Sequence, residues 1–350
     1  MTTIDPAGTD AGTTTDSGTD CGTDTDTDAG ERLGEGFGEG SGRPAAEDPA
    51  LRLPDGRVLR YRLHGPEDGM PLLMLGGTPD TRLLRPATRA RLAAAGIRAV
   101  TVDRPGYGGS TRRPGRGVAD TVDALRRVAD SLGWQRFAVS GFSGGGPYAL
   151  GCAALLPDRV TRCAVLSGVA PADADGLDFH AGMSAQSVAE FRHAAQGEQV
   201  LRPFLQRYGR EVEQALAELP GDPERPARLR AMWRDGLDGW VDDHLALARP
   251  WGFDPADVTV PVAVLHGTAD SSCPPAHARW LLARIRGAEP RPYRGGHEPR
   301  RRSRQRPWGG CAGRSSAEGA DATTVGVSRG PGGRPPGPGR RPGRRPRPHW

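Results

Sequence analysis

Residues 137–156 switch from strand to helix across one tight turn, and that switch constrains the fold more than any other feature of the chain. Phe137, Ala138 and Val139 form a short apolar run, as in a parallel strand covered on both faces. Gly141-Phe142-Ser143-Gly144-Gly145 follows at once and matches Gly-x-Ser-x-Gly. Pro147, Tyr148, Ala149, Leu150, Cys152, Ala153 and Leu156 then read as a helix of mostly small residues. Strand, sharp turn and helix in that order form the context in which this motif presents a nucleophilic serine. Glycines two before and two after Ser143 are expected because side chains there would collide with strand and helix. The Ser143 hydroxyl would stand at a helix N-terminus, where backbone N–H groups can meet developing negative charge. The plainer alternative is a glycine-rich turn that happens to contain a serine, so partners elsewhere in the chain decide the matter.

The same alternation runs along the middle of the chain. Residues 51–63 read as a hairpin turning at Asp55-Gly56. Residues 71–75, 97–102, 160–166 and 260–265 read as strands, and 291–293 as a short last one. Helical spacing appears at 83–95, 118–132 and 275–286. Strands alternating with helices predict an α/β domain around a mostly parallel sheet. Between about 172 and 250 the alternation stops, and amphipathic helices are expected at 187–195, 200–219 and 227–248. We read this stretch as an inserted helical lid. Its aromatics make Trp233, Trp240 and Trp251 candidates for an apolar substrate pocket, together with Gly77 and Phe142, although tryptophans at helical spacing also serve as core.

Composition sets the domain's limits. Residues 1–50 are Thr-, Asp- and Gly-rich near-repeats, and 299–350 are rich in Arg, Pro and Gly. Neither carries enough apolar surface to offset chain entropy, so both are expected to be disordered tails around a domain at 51–298. Residues 1–50 hold 12 acids against 2 arginines, and 300–350 hold 13 arginines against 2 acids, so the tails carry −10 and +11, the residues between them carry only +4 of the net +5, and the high pI is a property of the tails. A basic nucleic-acid-binding face on the domain is therefore not expected. Five scattered cysteines (Cys21, Cys152, Cys163, Cys273, Cys311) show no metal or disulfide spacing, and no apolar run approaches membrane-spanning length. A cytoplasmic protein without metal or organic cofactor is expected, with no membrane partner. The sequence carries no signature of an oligomeric state.

A serine hydroxyl needs a histidine to take its proton and a carboxylate to orient that histidine. Asp270 lies directly after the strand ending at Leu265, and His297 lies in a Gly-Gly-His loop after the last strand. Ser143, Asp270 and His297 would then share the C-terminal edge of the sheet. Backbone N–H groups of Gly144 and Thr78 are candidates for an oxyanion hole, with Gly76 and Gly77 allowing close approach.

Taken together, Gly76-Gly77-Thr78-Pro79, Asp103-Arg104-Pro105-Gly106-Tyr107-Gly108, Gly141-Phe142-Ser143-Gly144-Gly145-Gly146-Pro147-Tyr148, His266-Gly267-Thr268-Ala269-Asp270 and Gly296-His297 resemble the α/β-hydrolase fold family, in its lidded esterase-like and peroxidase-like branch. The resemblance implies a serine hydrolase acting on an ester or similar small acyl compound through an acyl-enzyme. It also implies a closing helix after the histidine. After Glu298 the chain turns into Arg, Pro and Gly instead, as out-of-frame translation of a GC-rich gene would produce. The alternative expectation is therefore a weakly active or non-catalytic binding protein of the same fold.

Overall fold

A computed structural model of the chain describes residues 48–218 and 222–299. The expected acidic and Arg/Pro/Gly tails lie outside the described residues, save for 48–50 and Pro299. Those first residues join the sheet because Asp48 bridges Arg62 at 2.5 Å and Arg82 at 2.7 Å.

The elements run β1 (Ala50–Arg52), β2 (Val58–His64), β3 (Met70–Leu75), α1 (Pro86–Ala94), β4 (Ile97–Val102), α2 (Ala119–Ser131), β5 (Phe137–Phe142), α3 (Gly145–Leu155) and β6 (Val160–Leu166). After them come α4 (Ala185–Gln196), α5 (Glu198–Glu218), α6 (Arg225–Met232), α7 (Asp238–Leu247), β7 (Val262–Gly267), α8 (Pro275–Arg284) and β8 (Glu289–Tyr293). The eight strands form one sheet in the order β1-β2-β4-β3-β5-β6-β7-β8. β1 and β2 form the expected hairpin, β2 pairs with β4 antiparallel, and every pairing from β4 to β8 is parallel. Beside the Asp55-Gly56 turn, the Arg57 N–H donates to Asp55 Oδ1 at 3.1 Å.

Register decides where the loops emerge. Leu75 on β3 faces Gly141 on β5, Gly141 faces Val165 on β6, and Leu166 faces Leu265 on β7. The C-terminal ends of these strands therefore lie in one row, and their following loops open on the same edge. α3 is buried along nearly its whole length, from Gly145 to Ala153, because it sits between the sheet and α2 in the main core.

Between β6 and β7 the chain builds α4, α5, α6 and α7 around an apolar cluster of their own. Leu201, Leu205, Leu229, Met232, Trp233, Trp240, Val241 and Leu245 meet there, and Tyr107 enters the cluster from the loop after β4. The helix expected over 227–248 is two helices, α6 and α7. The chain turns between them at Gly236, whose φ is +64°; glycine takes that left-handed conformation without the strain a side chain would bring. α7 is buried on all sides. It turns Trp240 and Leu245 into the insertion's cluster and Leu247 into the main core.

Candidate active site

Ser143 follows the last residue of β5 with φ +50°, one of two non-glycine residues with positive φ among the described residues. The bend is held by the Ser143 N–H donating to Leu166 O at 2.8 Å and the Gly146 N–H donating to Ser143 O at 2.9 Å. The flanking glycines meet the expected need. A Cβ at Gly141 would lie 2.2 Å from Gly145 O, and one at Gly145 would lie 2.3 Å from Gly76 O. Neither backbone oxygen can move aside, so only glycine fits at either position.

The loop after β3 lies against this turn. An added Cβ on Gly77 would sit 3.4 Å from Ser143 Cβ and 3.4 Å from Phe142 Cδ1. One on Gly144 would be 2.4 Å from Thr78 Oγ1. Among the described residues, neither the Thr78 N–H nor the Gly144 N–H has a hydrogen-bond acceptor, whereas the Gly77 N–H is taken by Asp80 Oδ2 at 3.2 Å. Two unused backbone donors thus belong to residues packed beside Ser143. An oxyanion is held by unused backbone donors of this kind when they are aimed at it.

Asp270 and His297 are brought together. His297 Nδ1 lies 2.9 Å from Asp270 Oδ2 and 3.1 Å from Oδ1. Facing a carboxylate, Nδ1 carries the proton, which leaves Nε2 as the ring's acceptor. Asp270 is fully buried in its side chain and also accepts the N–H groups of Ser272 and Cys273 at 2.9 Å each. Burial pushes its carboxyl up, but the hydrogen bond and charge of His297, with the Cys273 N–H, outweigh this and hold it below the usual carboxylate range. The His297 ring rests on Phe142 with centroids 5.0 Å apart, which sets it beside the residue preceding Ser143. No hydrogen bond joins Ser143 and His297 among the described residues. The neighbour of the Ser143 side chain is instead the buried thiol of Cys273, which burial and the Asp270 charge keep protonated.

Sequence reasoning missed the groups that steady the histidine loop. The hydroxyls of Ser167 and Tyr293 each donate to His297 O at 2.8 Å. Ser167 is the other residue with positive φ, +47°, and it follows β6 much as Ser143 follows β5. Thr268 and Ala269 N–H groups bind Tyr293 O at 3.0 Å and Gly295 O at 2.8 Å. A Cβ on Gly267 would come 2.0 Å from Gly296 O, so the loop crosses β7 at a glycine.

Of the three tryptophans singled out, Trp233 and Trp240 pack on each other with ring centroids 5.3 Å apart in the insertion's cluster. Trp251 lies in the main core beside Phe253. Phe142 and Gly77 are next to Ser143. Among the described residues no group of three His, Cys, Asp or Glu is placed to hold a metal ion, and no helix is long and apolar enough to cross a membrane.

The eight-stranded sheet, the strained serine turn and the edge on which the loops gather define an α/β-hydrolase domain. Residues 71–298 match the family described as alpha/beta hydrolase fold, and the chain belongs to that family. It is 28% identical over 256 residues to a non-heme chloroperoxidase from Streptomyces lividans, covering 64% of this chain and 83% of that protein. It is also 28% identical over 200 residues to a serine hydrolase-like protein of Danio rerio, covering 51% of this chain and 61% of that protein's length. Among solved structures, an esterase from Exiguobacterium antarcticum superposes with a TM-score of 0.55 at 22% identity, covering 72% of this chain and 92% of that one.

Proposed function

We propose that the chain is a serine hydrolase of small acyl compounds, carboxylic esters first among them, working through Ser143, His297 and Asp270. The observation that carries this reading is the His297–Asp270 hydrogen bond of 2.9 Å, formed beside a serine at φ +50° with two unused backbone N–H groups at hand. Ser143 Oγ leaves the Cys273 thiol by rotating about its Cα–Cβ bond and turns to His297 Nε2. Catalytic hydrogen bonds of this kind commonly form only once substrate is bound.

Oγ then bonds to the acyl carbon while its proton passes to Nε2. The carbonyl oxygen becomes an oxyanion, held by the N–H groups of Thr78 and Gly144. Collapse breaks the bond to the leaving alcohol, which takes the proton from Nε2. Water repeats the sequence on the acyl-enzyme and releases the acid. Asp270 keeps His297 in the required tautomer and stabilises it while charged. Phe142 and Gly77 border the acyl site, and the four inserted helices act as its lid. The free thiols of Cys152, Cys163 and Cys273 accord with a reducing cytoplasm. Relatives named as a chloroperoxidase and as a putative carbamate hydrolase support hydrolase-type chemistry at this site without choosing the substrate.

The test is turnover of p-nitrophenyl esters of graded acyl length. Ser143→Ala should lower kcat by about 10⁴-fold or more. Equal rates in the wild type and Ser143→Ala would refute the reading.

A further inference from the structure

Asp243, on α7 of the helical insertion, is wholly buried, yet it faces six donors. It accepts from Arg104 Nη2 at 2.6 Å, Arg104 Nε at 3.0 Å, Arg116 Nη2 at 2.6 Å, and the hydroxyls of Thr78, Tyr148 and Tyr107 at 2.8, 2.9 and 3.0 Å. The remaining reach of Arg104 goes elsewhere. Its Nη1 donates to Gly76 O at 2.8 Å and its Nη2 to Gly77 O at 2.5 Å. One guanidinium therefore links a carboxylate on the insertion to two successive carbonyls of the loop beside Ser143.

The geometry of the peptide unit makes that link consequential. The Gly77–Thr78 bond is trans, so the Gly77 carbonyl and the Thr78 N–H point in opposite directions from one rigid plane. Pulling Gly77 O towards Arg104 turns the Thr78 N–H away from Arg104, and this N–H has no partner among the described residues. The Thr78 hydroxyl, held by Asp243, pins the other side of the same residue and sits against Gly144. Asp80 meanwhile takes the Gly77 N–H, which leaves Thr78 as the loop's available donor.

We infer that Arg104 and Asp243 are positioning residues for the oxyanion hole, through which α7 of the insertion sets the direction of the Thr78 N–H. The inference deepens the serine-hydrolase reading and rests on it. Through Asp243 the seating of α7 and the orientation of Arg104 and of the Thr78 hydroxyl are then coupled.

The experiment compares the full-length wild type with Arg104→Gln by steady-state kinetics on a p-nitrophenyl ester and by affinity for an arylboronic acid. The boronic acid adds to Ser143 as a tetrahedral anion. Loss of one oriented oxyanion donor should lower kcat about 100-fold and weaken the boronate in parallel, with KM nearly unchanged. Millimolar guanidinium added to Arg104→Ala should restore part of kcat. If Arg104→Gln does not fold, Thr78→Val removes the hydroxyl that joins Thr78 to Asp243 and Arg104 at nearly constant volume, and kcat should fall roughly three- to tenfold. A folded Arg104→Gln, or in its place a folded Thr78→Val, with wild-type kcat and boronate affinity would overturn the inference, as would a loss confined to KM. A wild type that turns over no ester refutes the hydrolase reading and this inference with it, whereas an active wild type beside an unaffected variant refutes the inference alone.

Discussion

A carboxylate buried without donors would take up a proton, and Asp243 and Asp270 avoid this in different ways. Asp270 accepts two backbone N–H groups and one imidazole. Around Asp243 stand two guanidinium groups and three hydroxyls. Burial pushes the Asp243 carboxyl up, and the charges of Arg104 and Arg116 more than reverse it, leaving it far below the usual range. Asp243→Asn strands two buried cations, so it should cost about 3–5 kcal/mol in urea unfolding; a loss well under 1 kcal/mol would mean that water reaches the cluster. His277 shows the opposite logic. Its Nδ1 accepts the Ala170 N–H at 3.1 Å and its Nε2 faces Phe179 O at 3.0 Å, a pattern that only the neutral ring satisfies. Burial holds its pKa down at about 4, against 6.5 for a free histidine. Between those values the unfolded chain binds a proton that the folded chain refuses, so stability present above pH 6.5 is lost as pH falls towards 4. Melting temperatures measured from pH 7 to 4.5 should drop. His277→Gln, which keeps both hydrogen bonds, should melt lower at pH 7 but with a shallower slope; an unchanged slope would clear His277 of the effect.

At the scale of elements, α7 matters most. Its first turn docks on the loop after β4 through two glycines. The Gly239 N–H donates to Gly106 O at 3.0 Å, and a Cβ on Gly239 would lie 2.4 Å from the Tyr107 ring. Gly239→Ala should therefore unseat the helix, costing about 1–3 kcal/mol in stability, the usual range for overpacking, and lowering ester turnover through Asp243. Full activity and an unchanged melting temperature would show that Tyr107 gives way. The sequence carried much of this level and missed a specific part. Runs rich in apolar and β-branched residues, such as 97–102 and 160–166, announced strands to within a residue or so. The break between α6 and α7 escaped because Trp233, Leu237 and Trp240 continue an apolar pattern across it, and a single Gly236 gives little warning. Asp243 escaped for another reason. Helical spacing tells which way a residue points but not what awaits it, and its partner Arg104 lies 139 positions earlier in the chain. Arg104 left some signal, since it stands in the Asp103-Arg104-Pro105-Gly106-Tyr107 run at the end of β4. Ser167 and Tyr293 left none.

At the scale of the whole molecule, a sheet register aligns the ends of β3, β5, β6 and β7, and the loops that follow deliver Thr78, Ser143, Ser167 and Asp270 to one edge. β8 brings His297 to the same edge, where the Ser167 and Tyr293 hydroxyls hold its carbonyl. Ser143, Asp270 and His297 stood out as candidates in the sequence because each follows a strand and because only certain residue types can do such chemistry. Their bracing was not, because it consists of hydroxyls and carbonyls that carry no pattern. The most direct measurement is the rate at which a fluorophosphonate labels the folded protein, read by mass on the tryptic peptide 137–159. One adduct per chain should form at Ser143, and His297→Ala should slow it by roughly 10³-fold or more. A folded wild type that acquires no adduct at Ser143, or one that His297→Ala labels just as fast, would contradict the account.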